Sequence, residues 1–111
     1  MTDLEMTKLC AKAIGINVQP TPDAQKDAPF VWHYADCGHW APMLMPYNPL
    51  HNDEQAMALV KKFDLSLNGK YGEVVWFDPD SDDDLRIKSD GDLNRAIVEC
   101  VAKMQKAKVS A

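Results

Sequence analysis

Six apolar residues, Leu93, Ala96, Ile97, Cys100, Val101 and Met104, recur at i, i+3, i+4, i+7, i+8 and i+11. That spacing lays one continuous apolar stripe along an α-helix. It constrains everything upstream, because a helix with so apolar a face must be covered by another layer. Asp90 and Asp92 stand where the helix begins, and Lys103 and Lys106 where it is expected to end. The charges therefore oppose the helix dipole at both ends.

The covering elements are read in chain order. Thr2-Asp3-Leu4-Glu5 has the form of a capping box, and Met6, Leu9, Cys10 and Ala13 follow at helical spacing. A first helix is predicted to about Ile14, stopped by Gly15. Ile16 to Pro29 holds three prolines and no periodicity, which marks an irregular connection. Phe30 to Tyr34 has the aromatic and β-branched content of a strand, Asp36 to His39 reads as a turn, and Met43-Leu44-Met45 as a short returning strand that Pro46 ends. Asn52 is a cap residue with Gln55 as its reciprocal partner, and Ala56, Leu59, Val60 and Phe63 predict a second helix over about 53–63. Leu65 to Leu67, Glu73 to Phe77 and Leu85 to Lys88 then alternate as the strands of a meander. The order α, β (one or two), α, β, β, β, α predicts an α+β domain: an antiparallel sheet of three to five strands covered by three helices, in a helix–sheet–helix sandwich. One domain is expected over residues 1–111, with 16–52 as an irregular, aromatic-rich insert.

Composition narrows function by exclusion. A net charge of −5 argues against a module that grips duplex nucleic acid through Lys and Arg. No apolar run reaches the length of a membrane span, and Asp3 and Glu5 stand where a signal peptide would carry positive charge, so a cytoplasmic protein is expected. Three widely spaced cysteines imply no disulfide framework. No Gly-rich phosphate loop and no nucleophile–base pair stands out, so no enzyme activity and no cofactor are expected.

The most informative stretch is Ala28 to Asn52. Asp36 is its only formal charge, yet it carries five aromatic residues, three histidines and four prolines. An aromatic, charge-poor surface has the composition of a binding interface. Trp32, Tyr34, His39, Trp40 and Tyr47 are the candidate binding residues; the competing reading makes the same rings core. His33, Cys37 and His39 lie close enough in sequence to suggest zinc, but their spacing matches no standard finger, and no metal is expected. The acidic run supplies a second candidate patch in Asp78, Asp80, Asp82, Asp83 and Asp84. It fails as an EF-hand because Asp83 occupies the glycine position and Ser89 the position of the bidentate glutamate.

Three segments carry a resemblance: Thr2-Asp3-Leu4-Glu5-Met6-Thr7-Lys8-Leu9-Cys10, the run from Tyr47-Asn48-Pro49-Leu50 through Lys61-Lys62-Phe63, and the run from Asp92-Leu93-Asn94-Arg95 through Lys103-Met104. Together just under 40 of the 111 residues, they resemble the small phage and prophage proteins of the phage ABA sandwich domain. The resemblance implies a helix–sheet–helix sandwich and a phage or prophage source. It implies no catalytic motif and assigns no site residue. The segment from Pro20 to Met45 departs from the short members of that family, and an insert on a plain scaffold is a natural place for a specific function.

The expectation is a non-enzymatic phage or prophage accessory protein of the bacterial cytoplasm that binds a host or phage protein, such as a component of a defence system. Two alternatives come from other classes: a small-molecule or nucleotide-binding module that stacks its ligand on the aromatic segment, and an acidic mimic of nucleic acid that uses the Asp78–Asp84 loop.

Overall fold

The computed structural model describes residues 2–20, 30–35, 43–68, 70, 72–77, 84–89 and 92–110. Among them the chain is α+β, in the order α1 (Asp3–Ala13), β1 (Val31–Ala35), β2 (Met43–Tyr47), α2 (Asp53–Phe63), β3 (Ser66–Asn68), β4 (Glu73–Phe77), β5 (Asp84–Lys88) and α3 (Leu93–Ser110).

Each helix starts on the residue that its sequence offers as a cap. Thr2 Oγ1 accepts the Glu5 N–H at 3.1 Å, and the Glu5 carboxylate accepts the Thr2 N–H at 3.3 Å, closing the capping box. Asn52 Oδ1 accepts the Gln55 N–H at 3.0 Å, but Gln55 does not reach back to the cap. Its carboxamide accepts from Asn48 N–H at 2.6 Å and donates to the Pro46 carbonyl at 3.1 Å, fastening the end of β2 to the first turn of α2. Asp92 Oδ1 accepts the Arg95 N–H at 3.1 Å and caps α3. That helix runs on to Ser110, past the end expected at Lys103 and Lys106; Lys103 sits mid-helix and pairs with Glu99 at 3.6 Å.

The strands form two antiparallel sheets, a hairpin of β1 and β2 and a meander of β3, β4 and β5. The sequence predicts one sheet. Among the described residues no strand pairing joins the hairpin to the meander, and β1 has α1 as a neighbour.

At the centre lies α3. It packs against β4 and β5, against α2, and against α1. Ala96, Ile97, Val98, Cys100, Val101 and Ala102 are fully buried. The predicted stripe accounts for four of these; Val98 and Ala102 belong to the adjoining sector. Arg95, Val98 and Ala102 share one face at i, i+3 and i+7. This side meets α1, since Arg95 pairs with Asp3 at 3.0 Å and the Cys10 thiol donates to the Val98 carbonyl at 3.4 Å. The meander presents Val74, opposite Ile87, and Trp76, opposite Leu85, to the same core.

The C-terminus of α1 directs the chain toward the hairpin. Ile16 N–H donates to Ala11 O at 2.9 Å and Gly15 N–H to Lys12 O at 3.2 Å, the paired bonds of a Schellman motif, with Gly15 in the left-handed region at φ +79°. The chain leaves this turn alongside β1, where Gln19 makes a single antiparallel bridge to Trp32.

Candidate functional site

The hairpin register pairs Val31 with Tyr47, Trp32 with Pro46, His33 with Met45, Tyr34 with Leu44 and Ala35 with Met43. Because side chains alternate across a strand, Val31, His33, Met45 and Tyr47 share one face, and Trp32, Tyr34, Leu44 and Pro46 the other. The first face is rooted in the core. Val31 and Tyr47 are buried, and the His33 ring meets the Tyr47 ring edge-on at 5.7 Å. Exposure rises away from that root. Tyr34 is 60% exposed, Met43 49%, Leu44 44% and Met45 37%, with Val18 of the neighbouring segment at 42%. Trp32 is half-buried and stacks edge-to-face on Phe30 at 5.8 Å.

The hairpin also concentrates unusual polar atoms. Trp32 Nε1, Tyr47 Oη and Asn48 Oδ1 are buried without a hydrogen-bond partner among the described residues, and a buried polar group left unpaired costs about 1–3 kcal/mol. Burial raises the pKa of the Tyr47 phenol well above its usual value, with Cys10 nearby adding to the effect. Burial lowers the pKa of the His33 imidazole, which favours its neutral form.

Beside β1 lies a cleft of about 310 Å³ lined by Gly15, Ile16, Asn17, Gln19, His33 and Tyr34. Among the described residues no side chain with a formal charge at neutral pH lines it. A second hollow, between α1 and α3, is floored by Leu9 and edged by Glu5, Lys8 and Lys106.

The sequence-predicted residues fare differently. Trp32 and Tyr34 lie on the open face of the hairpin. Tyr47 is a correction: it is 3% exposed and belongs to the core, because its register opposite Val31 turns its ring inward. His39 and Trp40, and the Cys37 considered with them, lie outside the described residues, as do Asp78, Asp80, Asp82 and Asp83. Asp84 is exposed and shares Arg86 with Glu73, at 3.6 Å and 3.4 Å respectively. Among the described residues no group of three metal-ligating side chains comes together, and no helix is long and apolar enough to cross a membrane.

Cys10 and Cys100 are buried free thiols in the α1–α3 interface. Burial pushes Cys10 up to about 12, with Cys100 adding to the effect, and pushes Cys100 up to about 11. Both therefore stay protonated at neutral pH, the opposite of what nucleophilic chemistry requires.

The binding residues named from the sequence did not include Met43, Leu44 and Met45 on the hairpin, Val18 on the segment beside it, or Asn17 and Gln19 in the cleft. For the β2 residues a signal existed: three consecutive apolar residues between Pro42 and Pro46 do not alternate, so a two-stranded ribbon cannot bury all of them. The cleft residues carry no local signal, because their role depends on contact with a strand more than ten positions on. No family model, curated protein or solved structure matches this chain.

Proposed function

We propose that this chain acts by binding a protein, without catalysing a reaction, and that the outer part of the β1–β2 hairpin is the surface it presents. One observation carries the reading: of the eight large apolar residues that stand exposed among the described residues, Val18, Tyr34, Met43, Leu44 and Met45 gather on this ribbon and the segment beside it. Scattered exposed apolar residues are ordinary on a soluble protein, whereas here Tyr34 and its partner Leu44 stand together on one face of the outer ribbon and Met43 and Met45 on the other, and aromatic residues and methionine are enriched in interfaces. The protonated, buried thiols support the non-catalytic part of the proposal. The setting, a phage or prophage accessory protein acting on a host or phage protein such as a defence component, rests on the resemblance of segments 2–10, 47–63 and 92–104.

The test is capture from bacterial lysate by the immobilised protein, compared with a Tyr34→Ser/Leu44→Ser variant. Truncating buried interface anchors typically costs about 2–4 kcal/mol, a loss of roughly 30- to 1000-fold in affinity. The variant should lose the captured protein while its melting temperature stays within a few degrees, since both side chains are exposed. Capture should persist when NaCl is raised to about 0.5 M, because apolar contacts are not screened. Binding that survives the double substitution, or that disappears in salt, would exclude the hairpin and favour the acidic segment.

A further inference from the structure

β1 and the segment after α1 begin to pair and then part. Gln19 donates its N–H to the Trp32 carbonyl at 2.8 Å, and an antiparallel ladder continuing from this bridge would set Asn17 opposite Tyr34. It does not continue among the described residues: Gln19–Trp32 is an isolated bridge, and the segment that leads to it leaves α1 through the left-handed turn at Gly15. The gap between the parted chains is the cleft of about 310 Å³, at the small end of the range for ligand sites.

Polar groups point into this gap. In an antiparallel strand, alternate residues turn their backbone N–H and C=O to opposite edges. The Trp32 carbonyl faces Gln19, so Tyr34, two residues on, presents its own N–H and C=O to the same edge. That places a backbone donor and acceptor side by side on a rigid strand. Asn17, Gln19, whose carboxamide nitrogen already donates to Asn17 O at 3.4 Å, and His33 line the cleft beside them. Tyr34 adds an open aromatic ring.

We propose that this cleft binds a single neutral heterocycle of the nucleobase or nucleoside type, read by the Tyr34 main chain and the carboxamides of Asn17 and Gln19. A ligand with adjacent donors and acceptors on one flat edge satisfies a backbone N–H and C=O pair and two carboxamides together. Among the described residues the lining offers no cation to hold a phosphate. Burial keeps His33 in its neutral form, so the imidazole supplies one donor and one acceptor and no charge. This site shares Tyr34 with the hairpin surface but adds Asn17 and Gln19, which the protein-binding test leaves untouched, so substitutions at those two residues separate failure of one proposal from failure of the other.

Saturation-transfer NMR with adenosine, guanosine, cytidine and uridine, each at about 1 mM, tests the proposal directly, with N-acetyl-glycyl-glycine N-methylamide as a neutral peptide comparator. At least one nucleoside should bind with Kd below about 1 mM, with no loss of affinity when NaCl is raised and no gain from a 5′-triphosphate. The amide resonances it moves should centre on residues 15–19 and 33–34. Asn17→Ala and Gln19→Ala should each weaken binding at least tenfold without changing the melting temperature. The proposal is overturned if no nucleoside binds, if the comparator binds more tightly than every nucleoside, or if the perturbed amides lie elsewhere. Equal binding by the wild type and both folded variants also overturns it. Should a variant fail to fold, the amide map of the wild-type protein decides.

Discussion

Gly15 and Asp64 occupy equivalent places at the ends of α1 and α2, and both are left-handed, at φ +79° and +53°. A residue with a Cβ pays roughly 1–2 kcal/mol in that region. A methyl group at Gly15 would meet nothing within 4 Å, so Gly15→Ala should lose about 1–2 kcal/mol from backbone conformation alone, a fall in melting temperature of roughly 4–8 °C per kcal/mol. Asp64→Gly should move the other way by about 0.5–1 kcal/mol; calorimetry of the two variants checks the signs. The thiols yield a pH prediction. Cys10 and Cys100 are raised from 9.0 to about 12 and about 11 in the fold. As pH rises, the unfolded chain loses these protons first, so their contribution to stability is intact below about pH 9 and declines as pH climbs toward 11–12. The urea midpoint should therefore fall above pH 9, and fall less steeply in a Cys10→Ala/Cys100→Ala variant. At this scale the sequence was legible where a residue acts on its neighbours, as Gly15 does in stopping a helix. It was silent where the partner is distant, as for Tyr47, whose burial is decided by its register opposite Val31.

The spacing of α3 located a helix and one buried face, but the helix is covered on more than that face. A second signal lay in the polar residues. Arg95, Glu99, Lys103 and Lys106 fall at i, i+4, i+8 and i+11, a narrow strip that leaves most of the circumference apolar. Val98→Asp should consequently unfold the domain as Ile97→Asp does, because each buries an unpaired charge, while Glu99→Ala should change stability by less than about 1 kcal/mol. Thermal melts of the three variants separate a helix buried on several sides from one with a single buried face. The caps Thr2 and Asn52 were legible because each is satisfied within three residues, whereas for α3 the sequence offered Asp90 and Asp92 alike as charges at the helix start, and it is Asp92 that accepts the Arg95 N–H. The outward reach of Gln55 to Asn48 and Pro46 was not legible, since it belongs to the junction of two elements.

Among the described residues, exposed apolar side chains occur on both sheets, Leu67 and Phe77 on the meander included, but only the meander sets charges among them. β5 carries Asp84, Arg86 and Lys88 on the meander, whereas Met43 to Tyr47 has no charge at all. Charged residues keep an edge strand from pairing with another chain, and β2 has only Pro46 in that role. Retention on a mildly hydrophobic column should thus fall in the Tyr34→Ser/Leu44→Ser protein and stay unchanged in Met57→Ser, although Met57 is similarly exposed at 40%. The α+β class was legible because each element has its own period. The division into two sheets was not, because periodicity says which face of a strand is apolar and nothing about which strand lies beside it. The central place of α3 also bears on biosynthesis. The helix against which α1, α2 and the meander pack is specified after all of them, so a growing chain that has reached residue 92 has made every other described element and lacks their common partner. Ribosome-bound chains halted there should be cleaved by protease as readily as unfolded chains, and become resistant only once the segment through Met104 has cleared the exit tunnel.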